Sequence, residues 1–225
     1  MDDHTRIKRS SVLSEHAAKA FLAPYGIPVV EEKTAADSEE AVDAARSVGF
    51  PVVLKALGDK LLHKTERRLV HLNLADEQMV RSAADAIAAA AGEDLESLLV
   101  QPQVSGTREF VAGLFYDDQY GPVIMFGLGG VFVEVLKDVA FRVAPLTEAD
   151  TRDMIEEIKG APLLHGMRGE KPKDIEAVKQ VLSRLSDIAV NNPEIQEIDL
   201  NPVIVHEQGL SIVDSRILIQ DQPSG

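Results

Sequence analysis

The chain has 225 residues and a mass of 24.4 kDa, room for one medium domain or two coupled lobes around a sizeable core. Its 23 basic and 37 acidic residues leave a net charge of −14, which argues against a sequence-independent nucleic-acid binder, whose affinity comes from Lys and Arg neutralising phosphates. Cysteine is absent, which excludes disulfides, thiolate metal sites and cysteine nucleophiles.

The start, MDDHTRIKRSS, lacks the apolar core of a signal peptide, and no apolar run approaches the roughly 18 residues that span a bilayer. The chain therefore reads as soluble and cytoplasmic, beginning with a flexible tail over residues 1–10. Ser14 caps a helix with the apolar stripe Ala17, Ala18, Phe21, Leu22 and Tyr25, closed by Gly26. Pro28 to Val30 is a short β segment. Asp37 and Glu40 have capping-box spacing at the head of a second helix that Gly49 ends. Val52 to Lys55 is a strand. Val70, Leu72 and Leu74 alternate with His71 and Asn73, the pattern of a half-buried strand with its leucines inward.

An Ala-rich helix runs from Asp76 to Ala91 and stops at Gly92. Beyond it the character turns to β, with runs at 98–104, 109–116, 122–126, 131–136 and 139–146. A helix starting at Thr147 or Asp150 and a longer one over 174–190 precede two final strands, 197–205 and 210–219. The overall class is α+β (α/β). The composition shift near Gln101 divides an N-terminal lobe over 11–100 from a C-terminal lobe over 101–219, with a short tail over 220–225.

The last hairpin offers the most specific geometry. A turn at His206-Glu207-Gln208-Gly209 sets Val205 opposite Leu210 and Asn201 opposite Asp214. Strand period 2 then gathers Asp199, Asn201, Asp214 and Arg216 on one face. Carboxylate and amide oxygens on rigid strands suit Mg²⁺, a hard cation usually shared with phosphates. The plain alternative is a polar outer face with an Asp–Arg cross-strand pair.

Lys55 at the end of an apolar run can hold an anion, or it can be a lysine that snorkels to the surface. His63, in the loop His63-Lys64-Thr65, has the chemistry of a nucleophile, base or phosphate carrier, although most loop histidines are simply exposed. The turn Phe126-Gly127-Leu128-Gly129-Gly130 lets backbone N–H groups approach phosphate, or is a plain β-turn. It is neither a Walker loop nor a dinucleotide fingerprint. Glu109 and Arg142 either face a ligand or form structural ion pairs.

Together LSEHAAKAFLAPYGIPV (13–29), GFPVVLKA (49–56), LLHKT (61–65), GPVIMFGLGGVFVEVLKDVAFRVAPLT (121–147), EIDLNPVIV (197–205) and IVDSRI (212–217) resemble the ATP-grasp β subunits of ADP-forming acyl-CoA (acetyl-CoA) synthetases, relatives of succinyl-CoA synthetase. The resemblance covers 13–219. It implies an ATP-grasp fold of two lobes clasping a nucleotide, ATP or ADP. Lys55 would contact nucleotide phosphates, the 101–104 segment with Gln101, Gln103 and Val104 would be the adenine hinge, and Glu109 would lie near the nucleotide. Asp199, Asn201 and Asp214 would hold Mg²⁺, His63 would relay phosphate as a phosphohistidine, and Gly127, Gly129, Gly130 and Arg142 would belong to a phosphate loop.

The implied reaction is acyl-CoA + ADP + phosphate ⇌ carboxylate + CoA + ATP. It would be shared with a CoA-binding α subunit in an α2β2 heterotetramer, and no nucleic acid or membrane would take part. In two places the chain departs from the family pattern. Arg68 and Leu69 stand where the family usually has two glycines, and Pro102 stands where an acidic residue is common. Side chains in place of a glycine loop would obstruct backbone N–H groups from phosphate, while the arginines would add charge. A degenerate ATP-grasp subunit that only stabilises its partner, and an ATP-grasp carboxylate–amine ligase, are the alternatives.

Overall fold

The computed structural model describes residues 10–58, 61, 68–106, 108–130, 138–167 and 169–220. These divide into two units, a smaller one of Ser14–His16 and Val30–Ser105 and a larger one of Met1–Leu13, Ala17–Val29 and Gly106–Gly225. The division falls five residues after the composition shift, and it groups Ala17–Val29 with the C-terminal part of the chain. Among the described residues no helix is long and apolar enough to cross a membrane.

The smaller unit is a four-stranded antiparallel sheet in the order β2-β5-β3-β4, made of β2 (Lys33–Ala35), β3 (Val52–Leu57), β4 (Val70–Leu74) and β5 (Ser97–Pro102). Helices α2 (Ser38–Val48) and α3 (Glu77–Ala91) cover one face. Both start where acid side chains satisfy the first N–H groups: Asp37 accepts from Glu39 N and Glu40 N, and Asp76 accepts from Met79 N. Their apolar stripes, among them Val42, Ala45, Val80, Ala84 and Ile87, meet Leu54, Ala56, Leu98 and Val100 of the sheet. Strand alternation therefore sends Val53, Lys55, Leu99 and Gln101 to the opposite face.

The regular alternation expected for β4 fails at Leu72, which is 56% exposed. The register explains why. Val52 pairs with Leu74 but Leu54 pairs with His71, so β4 carries an extra residue there, and Asn73 takes a left-handed backbone at φ 57°.

The larger unit is built on β1 (Ser10–Leu13), β6 (Glu109–Asp117), β7 (Gly121–Leu128), β8 (Val139–Val143), β9 (Ile195–Val205), β10 (Leu210–Ile212) and β11 (Ser215–Gln220). These seven form one antiparallel sheet in the order β1-β11-β9-β6-β7-β8, with β10 also on β9. Residues of α1 (Glu15–Leu22), α4 (Glu148–Glu157) and α6 (Ile175–Asn191), with the short α5 (Pro162–His165), close over one face. There Phe110, Leu114, Ile124, Phe126, Ile198 and Leu200 pack against Leu22, Met154, Leu182 and Leu185. Thr147 rather than Asp150 caps α4, and the two close a reciprocal capping box.

The expected final strand 210–219 is split in two. Its break at Val213-Asp214 lies opposite Pro202, which has no N–H to give the ladder. Val213 N still donates to Pro202 O, and Asn201 N to Asp214 O. β1, β2 and α5 are short elements that the sequence pattern did not mark. The run 131–136 and the tails 1–9 and 221–225 lie outside the described residues.

Candidate functional site

In the larger unit the functional face is the side of the sheet away from the helices. A cross-strand row runs Phe141, Met125, Gly113, Asp199, Arg216, each directly opposite the next. The hairpin reading holds in detail: His206 N donates to Gly209 O, Leu210 faces Val205, and Asn201 meets Asp214 through its backbone. Asp199 and Arg216 are direct partners. Glu197, two residues before Asp199, shares the face, and the same alternation that selected Asp199 and Asn201 would have found it.

The electrostatics of this face are unusual for a sheet surface. Burial, reinforced by the negative charges of Glu197 and Asp214, pushes the Asp199 carboxyl up to about 6, while Arg216 pulls it the other way. A carboxylate held partly protonated by neighbouring carboxylates is relieved by a dication. Among the described residues no three His, Asp or Glu side chains form a ready-made metal set. The set here is two carboxylates and one amide, oxygen donors of the kind that suit Mg²⁺ when phosphates complete its shell. The residues fit the ion.

At the other end of β6, Glu109 neighbours Phe110, which enters the helix-side core, so the Glu109 side chain points to the same face as Asp199. Gly129 N donates to Glu109 O at 2.7 Å, and a Cβ on Gly130 (φ 65°) would come within 2.8 Å of Glu109 Oε2. A Cβ on Gly127 would lie 2.4 Å from Asp138 O. The close approach of Glu109 on one side and of Asp138 and Val139 on the other to this stretch thus accounts for these glycines without any ligand. Arg142 is not brought to this face. It lies opposite Ile124 on the helix side, where it donates to Glu157 Oε2 at 2.7 Å and to Phe141 O, a structural ion pair.

In the smaller unit Lys55 and Gln101 share the face away from α2 and α3, at 5% and 0% exposure. Lys55 does not snorkel. Its Nζ lies 2.5 Å from Glu15 Oε1, with both side chains buried. Glu15 was invisible as a partner in the sequence, since forty residues separate it from Lys55 and its position marks only the first turn of α1.

The 101–104 hinge has a defined donor pattern. Pro102 has no N–H, Gln103 N is taken by Pro51 O at 2.9 Å, and among the described residues Val104 N–H has no acceptor. The Gln103 side chain accepts from Asn73 N. His63 lies outside the described residues. Arg68 is exposed with φ 58°, the left-handed conformation that glycine adopts without cost, and Leu69 is fully buried in the unit's core. Arg68 therefore keeps a glycine-like backbone, and the Leu69 side chain points into the core of the smaller unit.

Residues 5–219 match the ATP-grasp domain family. The chain belongs to the ATP-grasp family. Its relatives within that family include the β subunit of an ADP-forming acetate–CoA ligase of Pyrococcus furiosus, 42% identical over 212 residues that cover 92% of this chain and 91% of that subunit. An ADP-forming acetate–CoA ligase of Archaeoglobus fulgidus is 41% identical over 89% of this ATP-grasp chain, which corresponds to only 30% of that longer protein. Among solved structures, an acetyl-coenzyme A synthetase of Ca. Korarchaeum cryptofilum superposes with a TM-score of 0.84 at 47% identity, covering 92% of each chain. That protein was captured with coenzyme A and Mg-AMPPCP, its phosphohistidine segment pointing towards the nucleotide site. Succinate–CoA ligase β subunits are more distant, at 28% identity. Within the ATP-grasp family the chain is therefore similar in length and coverage to β subunits of ADP-forming acetate–CoA ligases.

Proposed function

We propose that this chain is the nucleotide-handling half of an ADP-forming acyl-CoA synthetase, interconverting acyl-CoA + ADP + phosphate with carboxylate + CoA + ATP together with a CoA-binding α subunit. The observation that carries the reading is the crowded acid face of the larger unit. Burying Asp199 beside Glu197 and Asp214 is unfavourable in the bare protein and becomes useful only if a cation arrives there.

Phosphoryl transfer asks a protein mainly for positioning and charge stabilisation. Lys55 supplies a fixed positive charge for nucleotide phosphates, and Val104 N–H supplies a hinge donor for an adenine edge. Asp199, Asn201 and Asp214 are the side chains that would hold Mg²⁺, which when bound neutralises phosphate charge. Glu109 stands on the same sheet face. His63 is the proposed carrier, relaying the phosphoryl group between the partner subunit and the nucleotide, so that one difficult transfer is divided into simpler steps. The existence of long relatives of which this chain spans about a third supports a separate α subunit, and an α2β2 assembly is the expected form.

The test uses the chain co-expressed with its candidate α subunit. Incubation with Mg²⁺ and γ-labelled ATP should put acid-labile, base-stable label on this chain, and none on His63→Ala. A correctly assembled complex that takes no label would sink the relay and favour a subunit that only binds its partner.

A further inference from the structure

Glu15, the buried partner of Lys55, is the strongest feature that the proposed chemistry leaves unused. Lys55 lies within β3, flanked by Leu99 on one neighbouring strand and Val70 on the other. Its ammonium meets Glu15 Oε1 at 2.5 Å, and the two side chains keep only 7% and 4% of their exposure. Two charges taken out of water rarely add stability. Apolar residues of similar volume commonly hold a fold as well or better. Packing alone therefore gives little reason for charge at this point.

A different reason lies in what the ammonium must do. Lysine is a compact charge on a flexible stem, and a phosphate contact made by an unrestrained lysine spends affinity on ordering that stem. Glu15 removes the freedom in advance. Its carboxylate sits in the first turn of α1, on a fixed element that holds it against the ammonium. One N–H of the ammonium is directed at Glu15, and that fixes the directions of the other two.

We infer that Glu15 is a positioning residue for nucleotide binding, acting through Lys55 by fixing the direction of its ammonium. This rests on the nucleotide reading above. Glu15 touches no phosphate in this scheme, and its effect on affinity vanishes when Lys55 is absent.

The experiment is a double-mutant cycle on the full chain, with Mg–ADP affinity measured by calorimetry and unfolding followed in parallel. Glu15→Gln should weaken Mg–ADP about tenfold or more, the scale on which residues that orient a ligating group act. Lys55→Ala should weaken it at least as much, and the double variant should bind no worse than Lys55→Ala alone. The apolar pair Glu15→Met with Lys55→Met guards against a folding artefact. It should melt no lower than the wild type while binding like Lys55→Met. Glu15→Gln binding as tightly as the wild type, losses that multiply in the double variant, or an apolar pair that melts well below the wild type would each overturn the assignment. A wild type that fails to bind Mg–ADP would overturn the nucleotide reading and this assignment together, whereas a wild type that binds beside an unaffected Glu15→Gln removes only the assignment.

Discussion

Replacing Asp199 by Asn should make the protein more stable while removing the proposed metal site. In the folded chain the carboxyl is pushed up to about 6, against an ordinary value of 3.8. The difference, 6 − 3.8 = 2.2, corresponds at about 1.36 kcal/mol per pH unit to a ceiling of roughly 3 kcal/mol, the cost of keeping this group ionised in the native state. Partial exposure and water screening bring the expected gain nearer 2 kcal/mol. The sign follows from proton binding. Below 3.8 both folded and unfolded chains hold the proton, and the aspartate costs nothing. Between 3.8 and about 6 the folded chain holds it and the unfolded chain does not, so wild-type stability falls as pH rises, and above about 6 the penalty is complete. Urea denaturation of both proteins without metal, from pH 4 to 8, should show curves that coincide at the acid end and separate through pH 6. At pH 8 a gain of about 2 kcal/mol raises the melting temperature by roughly 4–8 °C for a chain of this size. An Asn variant no more stable than the wild type at pH 8, or a gain independent of pH, would refute the account of the acid face.

The same group sets a pH limit on the metal. Since the ion takes the carboxylate form, Mg²⁺ or Mn²⁺ affinity in titration calorimetry should fall about tenfold per unit below pH 6, and Arg216→Ala, which removes the cation that favours ionisation, should move that fall to higher pH. Leu69→Ala should cost about 2–5 kcal/mol in chemical denaturation, because the side chain fills the core of the smaller unit; a neutral result would mean that Leu69 lies over the loop instead. Gly127→Ala should destabilise by about 1–3 kcal/mol whether or not nucleotide is present, since its Cβ would meet backbone at Asp138 O; a loss seen only in nucleotide affinity would return this glycine to phosphate binding.

Where the sequence was readable, one periodicity decided the matter locally. The helix at Asp37 and the one at Asp76 announce themselves through a capping carboxylate before an apolar stripe. The Asp199–Asp214 face was legible because a four-residue turn fixes the register of the whole hairpin, and register fixes sidedness. Leu72 shows the limit. One extra residue in β4 reverses the face of everything beyond it, and nothing in the run Val70 to Leu74 marks where the bulge falls. Arg142 was open between a ligand contact and a structural ion pair for a related reason: only its register with Ile124 sends it to the helix side and to Glu157. Glu15 illustrates the harder case. Its partner is forty residues away, so only tertiary structure brings the two charges together.

The two charged features bear on each other through their energetics. A sequence selected for stability alone would fill the Lys55 position with an apolar residue and would not bury a carboxylate beside Glu197 and Asp214. This chain does both, a buried cation on the smaller unit's sheet and a partly buried acid cluster on the larger unit's sheet. A chain that had kept the fold and lost the chemistry would be free to replace these charges, and each replacement would tend to stabilise it. The presence of Lys55, Glu15, Asp199 and Asp214 together therefore weighs against a subunit that merely props up its partner. The stability gain expected of Asp199→Asn, set beside the loss of metal binding, measures how strongly.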